Sequence, residues 1–202
     1  MPVHERKKKK RDFDHFILGS GSPRRHELLK EILDDFQVVV SDAIEIKFHP
    51  DGPFSLVQEN ARLKAEAVAQ SHPRSWVLGA DTLVALGDKV LGKPKDLAEA
   101  RSMLGLLSGQ THEVSTGLCL INLASSFNET RVETSRVTFK DIDDQVIDKY
   151  FEVVDPLDKA GGYAIQTHPE LIVENFAGSH SNVIGLPVEM LKEWIRALKI
   201  NT

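Results

Sequence analysis

The 202 residues are 41% hydrophobic and 27% charged, the balance of a soluble globular chain forming one domain or one domain with two lobes, and no apolar run reaches the roughly 18 residues of a membrane span. A net charge of −5 argues against a general nucleic-acid coat, which needs a basic excess, but leaves room for a local site for a small anion. The lone Cys119, in the strand-like GLCLI, excludes an intrachain disulfide and reads as a buried, inert thiol in a reducing cytoplasm.

Residues 1–14 read as a basic, disordered tail around RKKKKR, Arg6 to Arg11; a localisation or anion-binding role is the alternative, and the run lacks the apolar h-region of a signal peptide. Residues 15–202 are then expected to form a single domain. It starts with a short buried strand from Phe16 to Leu18, turned by GSGS into a helix from Pro23 to about Phe36. Ser22 suits its N-cap, Pro23 its first position, and Leu28, Leu29, Ile32, Leu33 and Phe36 recur at helical spacing.

FQVVV is a second strand, and SLVQENARLKAEAVAQ a helix with alanine packing and polar residues on its outer side. WVLGAD is a third strand, followed by TLVALGDKVL, in which Gly87-Asp88 separates two short runs as a hairpin turn. DLAEARSMLGLLSG is a helix capped by Asp96, with Glu99 completing a capping-box-like pair and Gly109 as its left-handed stop. HEVSTGLCLINL and ETSRVTFK pair as antiparallel strands, DDQVIDKYFEVV is an amphipathic helix, and PVEMLKEWIRALKI closes the chain as a helix begun at Pro187. The alternation gives an α/β class with a mixed sheet and a lobe division near Phe139.

Several of these residues invite chemistry. The small-residue turn before Arg24 and Arg25 points backbone N–H groups at a helix N-terminus, and guanidinium forks suit phosphate oxygens; ordinary capping with a solvated first turn is the alternative. Asp81, after the apolar WVLGA, is expected near the carboxyl end of a strand, where open α/β sheets bind ligands. It and Glu45 are the carboxylates a divalent cation would use on a polyanion, although Glu45 alone also reads as an exposed loop residue. Lys64, interrupting an alanine-rich helix, and Lys93, in GKPKD, are either point charges on a phosphate or solvated lysines with snorkelling stems; spacing does not separate the two readings. DPLDKAGGYAIQ combines tight-turn chemistry with Asp158, Lys159 and Gln166: Gly161 and Gly162 permit close backbone approach or serve as a hinge between lobes, and Gln166 offers an amide to a base edge. His112 and His180 read as loop or strand-edge residues. The chain carries no GxxxxGK(S/T) loop, no GxGxxG after a strand, no HExxH and no cysteine-based zinc site.

Taken together, GSGSPRRHELL at 19–29, GADTLV at 79–84, LGKPKD at 91–96, LSGQTHEVSTG at 107–117, DPLDKAGGYAIQ at 155–166 and SNVIGLP at 181–187 resemble the Maf family of nucleoside triphosphate pyrophosphatases. The resemblance implies a Maf and inosine-triphosphatase-like fold, an elongated mixed sheet flanked by helices, with two lobes around a nucleotide cleft. It implies hydrolysis of a nucleoside triphosphate to monophosphate and pyrophosphate with a divalent metal, Mg²⁺ or Mn²⁺, in a cytoplasmic homodimer. By the same resemblance Asp81 is the proton acceptor and a metal carboxylate with Glu45 as companion. Ser20, Arg24, Lys64 and Lys93 hold phosphates or line the cleft, Arg24, Thr82 and Gln166 are specificity positions, and Arg25 is a subgroup marker or a support for the turn.

The doubled arginine, GADT and the glutamine ending YAIQ look like the branch acting on dTTP and UTP, with CTP or modified pyrimidine nucleotides as further substrates. Two departures stand out: LGS where LAS is usual, and QTHPELIVENFAGSHSNV in place of a glycine-rich continuation, which bears on the rim of the base pocket. A non-catalytic nucleotide-binding regulator of cell division is the alternative.

Overall fold

The computed structural model describes residues 15–200; the basic run from Arg6 to Arg11 lies outside them. Strand β1 (Phe16–Leu18) leads through the GSGS turn into α1 (Pro23–Lys30). This helix stops earlier than its apolar spacing suggests. The N–H groups of Glu31 and Ile32 donate three residues back, to Leu28 and Leu29, so the last turn tightens before Asp34 and Asp35. Leu29 and Leu33 are nevertheless both buried. Ser22 occupies the N-cap position, yet its side chain makes no capping hydrogen bond.

Of FQVVV only β2 (Gln37–Val38) is strand, at the sheet edge, and Val38 and Val40 are exposed. Helix α2 (Pro53–Ser71) follows, then β3 (Trp76–Leu86), the Gly87 turn at φ +58°, and β4 (Lys89–Leu91). Helix α3 (Leu97–Leu107) is capped as its sequence dictates: the Asp96 side chain accepts from Glu99 N–H at 2.8 Å, and the Glu99 carboxylate accepts from Lys95 N–H at 2.8 Å. Gly109 follows it at φ +66°. Strands β5 (Thr111–Asn122) and β6 (Phe127–Phe139) pair antiparallel along their length, and α4 (Asp144–Val153) comes next. Strand β7 (Val173–Ala177) and α5 (His180–Ile184) escape the sequence patterns, and α6 (Val188–Ala197) closes the described chain. Among the described residues no helix is long and apolar enough to cross a membrane.

The strands form one mixed sheet in the order β2-β1-β3-β5-β6-β7, with β4 on β3. β5 covers one edge of β3 from Val77 to Ala85. The other edge is shared: β1 pairs parallel with Trp76–Leu78, and β4 pairs antiparallel with Val84–Leu86. Between these two stretches lies a gap without a strand partner, and it contains Asp81 and Thr82.

The apolar interior divides around the gap. One group joins Phe16, Leu18, Leu29, Leu78, Leu186 and Trp194, and another joins Val84, Leu104, Phe139, Tyr150 and Tyr163. The second draws on residues from both before and after Phe139, so the lobes do not divide there. His112 is no loop or edge residue either: it sits in β5 between β3 and β6, 1% exposed.

Candidate active site

Asp81 is the sixth residue of an eleven-residue strand, not a strand end. Its position resembles a strand end because its neighbour β1 stops level with Leu78. Gly79 lies two residues before it, on the same face, and Gly117 lies opposite it on β5. A Cβ at Gly79 would meet Ala61 O at 2.3 Å, and one at Gly117 would meet Val57 O at 2.6 Å. The two glycines thus let the backbone of α2 lie directly on the sheet. That approach delivers Asn60 and Lys64, four residues apart on one helix face, to the carboxylate.

Lys64 Nζ is 2.7 Å from Asp81 Oδ1 and also 2.7 Å from Glu45 Oε1, and its side chain is 13% exposed. Asn60 donates to Asp81 Oδ2 at 3.4 Å. It also accepts from Ile46 N–H at 2.9 Å and donates to Ile46 O at 3.1 Å, which pins the segment bearing Glu45 against the helix. The sequence reading placed the polar residues of this helix outside; Asn60 is 4% exposed and faces in. Its signal was present in the spacing from Asn60 to Lys64, alongside Ala61 and Ala65. Partial burial pushes the Glu45 carboxyl up, but the Lys64 hydrogen bond and the charges of Lys64, Lys93 and Arg25 outweigh it, leaving its pKa below the usual range.

The two arginines leave α1 in different directions. Arg24 Nη1 is 2.5 Å from Asp158 Oδ2 and its Nη2 donates to Asp158 O at 3.2 Å, a tie between segments 134 positions apart. Lys159 also pairs with the Asp158 carboxylate. Burial pushes Asp158 up, and its hydrogen bonds from Lys159 and Arg24 more than reverse this. Arg25 turns inward. It donates to Gly185 O at 2.9 Å, Ser20 Oγ at 3.1 Å and Thr82 Oγ1 at 2.9 Å. Burial lowers its pKa, with the Asp81 charge opposing that shift.

These groups surround a cavity of about 630 Å³ lined by Arg24, Arg25, Glu45, Lys64, Asp81, Thr82, Lys93 and Gln166, with Asp158 and Tyr163. A cavity of about 340 Å³ at the GSGS turn shares Arg24, Arg25, Glu45, Lys64 and Lys93 with it and adds Ser20. Ser20, Arg24, Arg25, Glu45, Lys64, Asp81, Thr82, Lys93 and Gln166 therefore line one or both of these adjoining cavities, whereas Gly161, Gly162, His112 and His180 line neither. Asp158 and Lys159, marked by the same DPLDKAGGYAIQ segment, join the larger cavity as well; Asn60 and Gly185, which also line it, and Thr116, which braces it, were not singled out from the sequence.

Gly161 and Gly162 adopt φ +71° and +74°, and a Cβ there would press on Val84 and Leu104. They make a packed turn inside one lobe rather than a hinge between lobes. The turn is held by the bond from Gly161 N–H to Gly92 O at 3.0 Å, beside Lys93.

Among the described residues no group of three or more His, Cys, Asp or Glu side chains is placed to hold a metal ion. The donor set is instead the pair Asp81 and Glu45, both within 2.7 Å of one cationic nitrogen. This fits a hard cation that takes one or two protein carboxylates and completes its shell with water and phosphate oxygens.

A family model described as Maf-like protein matches residues 15–198. The dTTP/UTP pyrophosphatase of Bacillus cytotoxicus is 46% identical over 184 residues, 91% of this chain and 94% of its own. That of Akkermansia muciniphila is 44% identical over 182 residues, 90% and 95% of the two chains. That of Clostridium botulinum is 42% identical over 192 residues, 93% and 98%.

Proposed function

Because the chain belongs to the Maf-like protein family, we propose that its cleft hydrolyses nucleoside triphosphates, dTTP and UTP foremost, to the monophosphate and pyrophosphate. The observation that carries this reading is one buried carboxylate, Asp81, facing a cavity whose rim is cationic. Arg24, Arg25 and Lys93 bring positive charge to the phosphate chain, and charge aimed at the phosphoryl oxygens is the main catalytic resource in such a transfer. Asp81 orients a water for in-line attack on the α-phosphorus and takes its proton; the bond from that phosphorus to the bridging oxygen breaks, and pyrophosphate leaves.

Asp81 and Glu45 would hold Mg²⁺ or Mn²⁺, which when bound supplies charge neutralisation and a more acidic water. Lys64 keeps the two carboxylates together between turnovers. Gln166 on the cavity wall supplies an amide for the base edge. The same reading makes the protein a cytoplasmic homodimer, in keeping with its single buried thiol; sedimentation of the full chain tests the assembly.

The test is a screen of canonical and modified triphosphates that reads monophosphate and pyrophosphate together. Asp81→Asn is expected to lower turnover of dTTP and UTP at least about a hundredfold while circular dichroism stays that of the native protein. Near-normal turnover in that variant would sink the mechanism. Nucleotide binding without pyrophosphate release would favour a regulator of cell division, a reading that the names of the relatives disfavour.

A further inference from the structure

The motif SNVIGLP at 181–187 has no part in the reaction described above, yet two of its carbonyls end at Arg25. Gly185, at φ +127°, turns its carbonyl onto Arg25 Nε at 2.9 Å, and a Cβ there would stand 3.4 Å from Thr82 Oγ1. The second route is longer. Thr116 Oγ1 donates to Asn182 O at 2.9 Å, Thr82 Oγ1 lies 2.9 Å from Thr116 Oγ1, and Arg25 Nη2 donates to Thr82 Oγ1 at 2.9 Å.

Donor counting fixes the direction of every link. A guanidinium only donates, a carbonyl only accepts, and each hydroxyl has a single proton. Thr116 spends its proton on Asn182 O and must accept from Thr82. Thr82 in turn gives its proton to Thr116, for which the 3.5 Å contact to Gly185 O is a poor competitor, and accepts from Arg25. The far end is rigid. The Asn182 side chain is fully buried and donates to Val114 O and Ser135 Oγ, each at 2.9 Å. Thr116 is itself 0% exposed and does not line the cavity; it reaches the wall only through Thr82.

We propose that Thr116 is a positioning residue for this site, holding the Arg25 guanidinium through Thr82 in the orientation that meets a phosphate of the substrate. This rests on the reading of Arg25 as a phosphate ligand. A hydroxyl chain with one permitted direction gives the guanidinium one preferred rotamer, and each link polarises the next. Valine at 116 keeps the shape and removes both roles of the hydroxyl, so Thr82 loses the acceptor of its proton and turns to Gly185 O, where it competes with Arg25 Nε for the same carbonyl.

The experiment compares full-length wild type, Thr116→Val and Thr116→Ser in two readouts. The first is hydrogen exchange at Arg25 Nε–H by NMR in ligand-free protein, and the second is calorimetric binding of inorganic tripolyphosphate. Valine is expected to speed the exchange and to weaken tripolyphosphate about tenfold, the scale of one hydrogen bond to a charged group; serine restores both. Should valine prevent folding, Thr116→Cys, close to serine in shape with a weak donor, replaces it in the same comparison. Unchanged exchange in the valine or cysteine variant, or serine as impaired as they are, overturns the proposal. Because the exchange is read without nucleotide, it decides the matter even if wild type releases no pyrophosphate, a result that would defeat only the proposed reaction.

Discussion

Gly79→Ala tests how α2 and β3, the strand that bears Asp81, are joined. The added methyl would lie 2.3 Å from Ala61 O, 2.6 Å from Ala65 N and 2.8 Å from Ala65 Cβ, all on α2. Two of these are backbone atoms, so no side chain can swing away, and reaching ordinary contact requires strand and helix to part by about 1 Å. Overpacking of this kind costs about 3 kcal/mol, the upper end of the usual range, or roughly 6–12 °C in melting temperature for a domain of this size. The same displacement stretches the 2.7 Å contact between Lys64 and Asp81, and a misplacement of about 1 Å in a catalytic group commonly costs about a hundredfold in rate. Urea unfolding followed by circular dichroism measures the first effect, and pyrophosphate release well below the melting transition measures the second. Gly117→Ala, blocked by Val57 O at 2.6 Å, is expected to behave alike. A Gly79→Ala protein within about 0.5 kcal/mol of wild type and fully active would refute the claim that these glycines set the approach of α2.

Gly105→Ala should have the opposite sign: the position is exposed, within α3, with nothing within 4 Å of the new methyl, so urea unfolding should show about 0.5–1 kcal/mol of added stability. Burial lowers the pKa of His112 to about 4, so the unfolded chain binds more protons between pH 6.5 and 4 and stability falls as the pH drops through that window. Its share of the loss reaches about 2 kcal/mol by pH 5, and denaturant midpoints of His112→Phe should fall less between pH 7 and 5 than those of wild type. Arg25→Ala should weaken inorganic tripolyphosphate more than Arg24→Ala, because Arg24 already holds a carboxylate; calorimetry with equal losses would contradict this.

Local patterns carried most of the elements, and tertiary context accounts for the rest. Asp96, Glu99 and Gly109 bound α3 as their chemistry dictates because caps depend on neighbours in sequence. The early stop of α1, the two-residue β2 and the unbroken β3 depend instead on what lies alongside them. β7 was missed because VENFA is short and its pairing with β6 is broken by an irregularity at Thr138/Phe139. In the site, charged residues stood out by type, so Asp81, Glu45, Lys64 and the arginines were legible. Asn60, Thr116 and Gly185 were not, since a buried amide, hydroxyl or carbonyl gains its part only from the partner that the fold brings to it.

The adjacent arginines show how one turn of helix serves two lobes. Successive residues on a helix point about 100° apart, so a doubled arginine cannot present two forks to one ligand along one direction. Arg24 reaches Asp158 across the cleft, and a phosphate arriving there must share the guanidinium with that carboxylate or displace it. Arg25 is bonded, among the described residues, only to neutral groups: a carbonyl and two hydroxyls. These orient its charge without cancelling it. The nearest compensation comes through space from Asp81 and Glu45, which are themselves tied to Lys64. The fold thus keeps one cation aimed and free of a direct carboxylate partner beside Asp81, and keeps the other engaged with the opposite lobe until an anion competes for it.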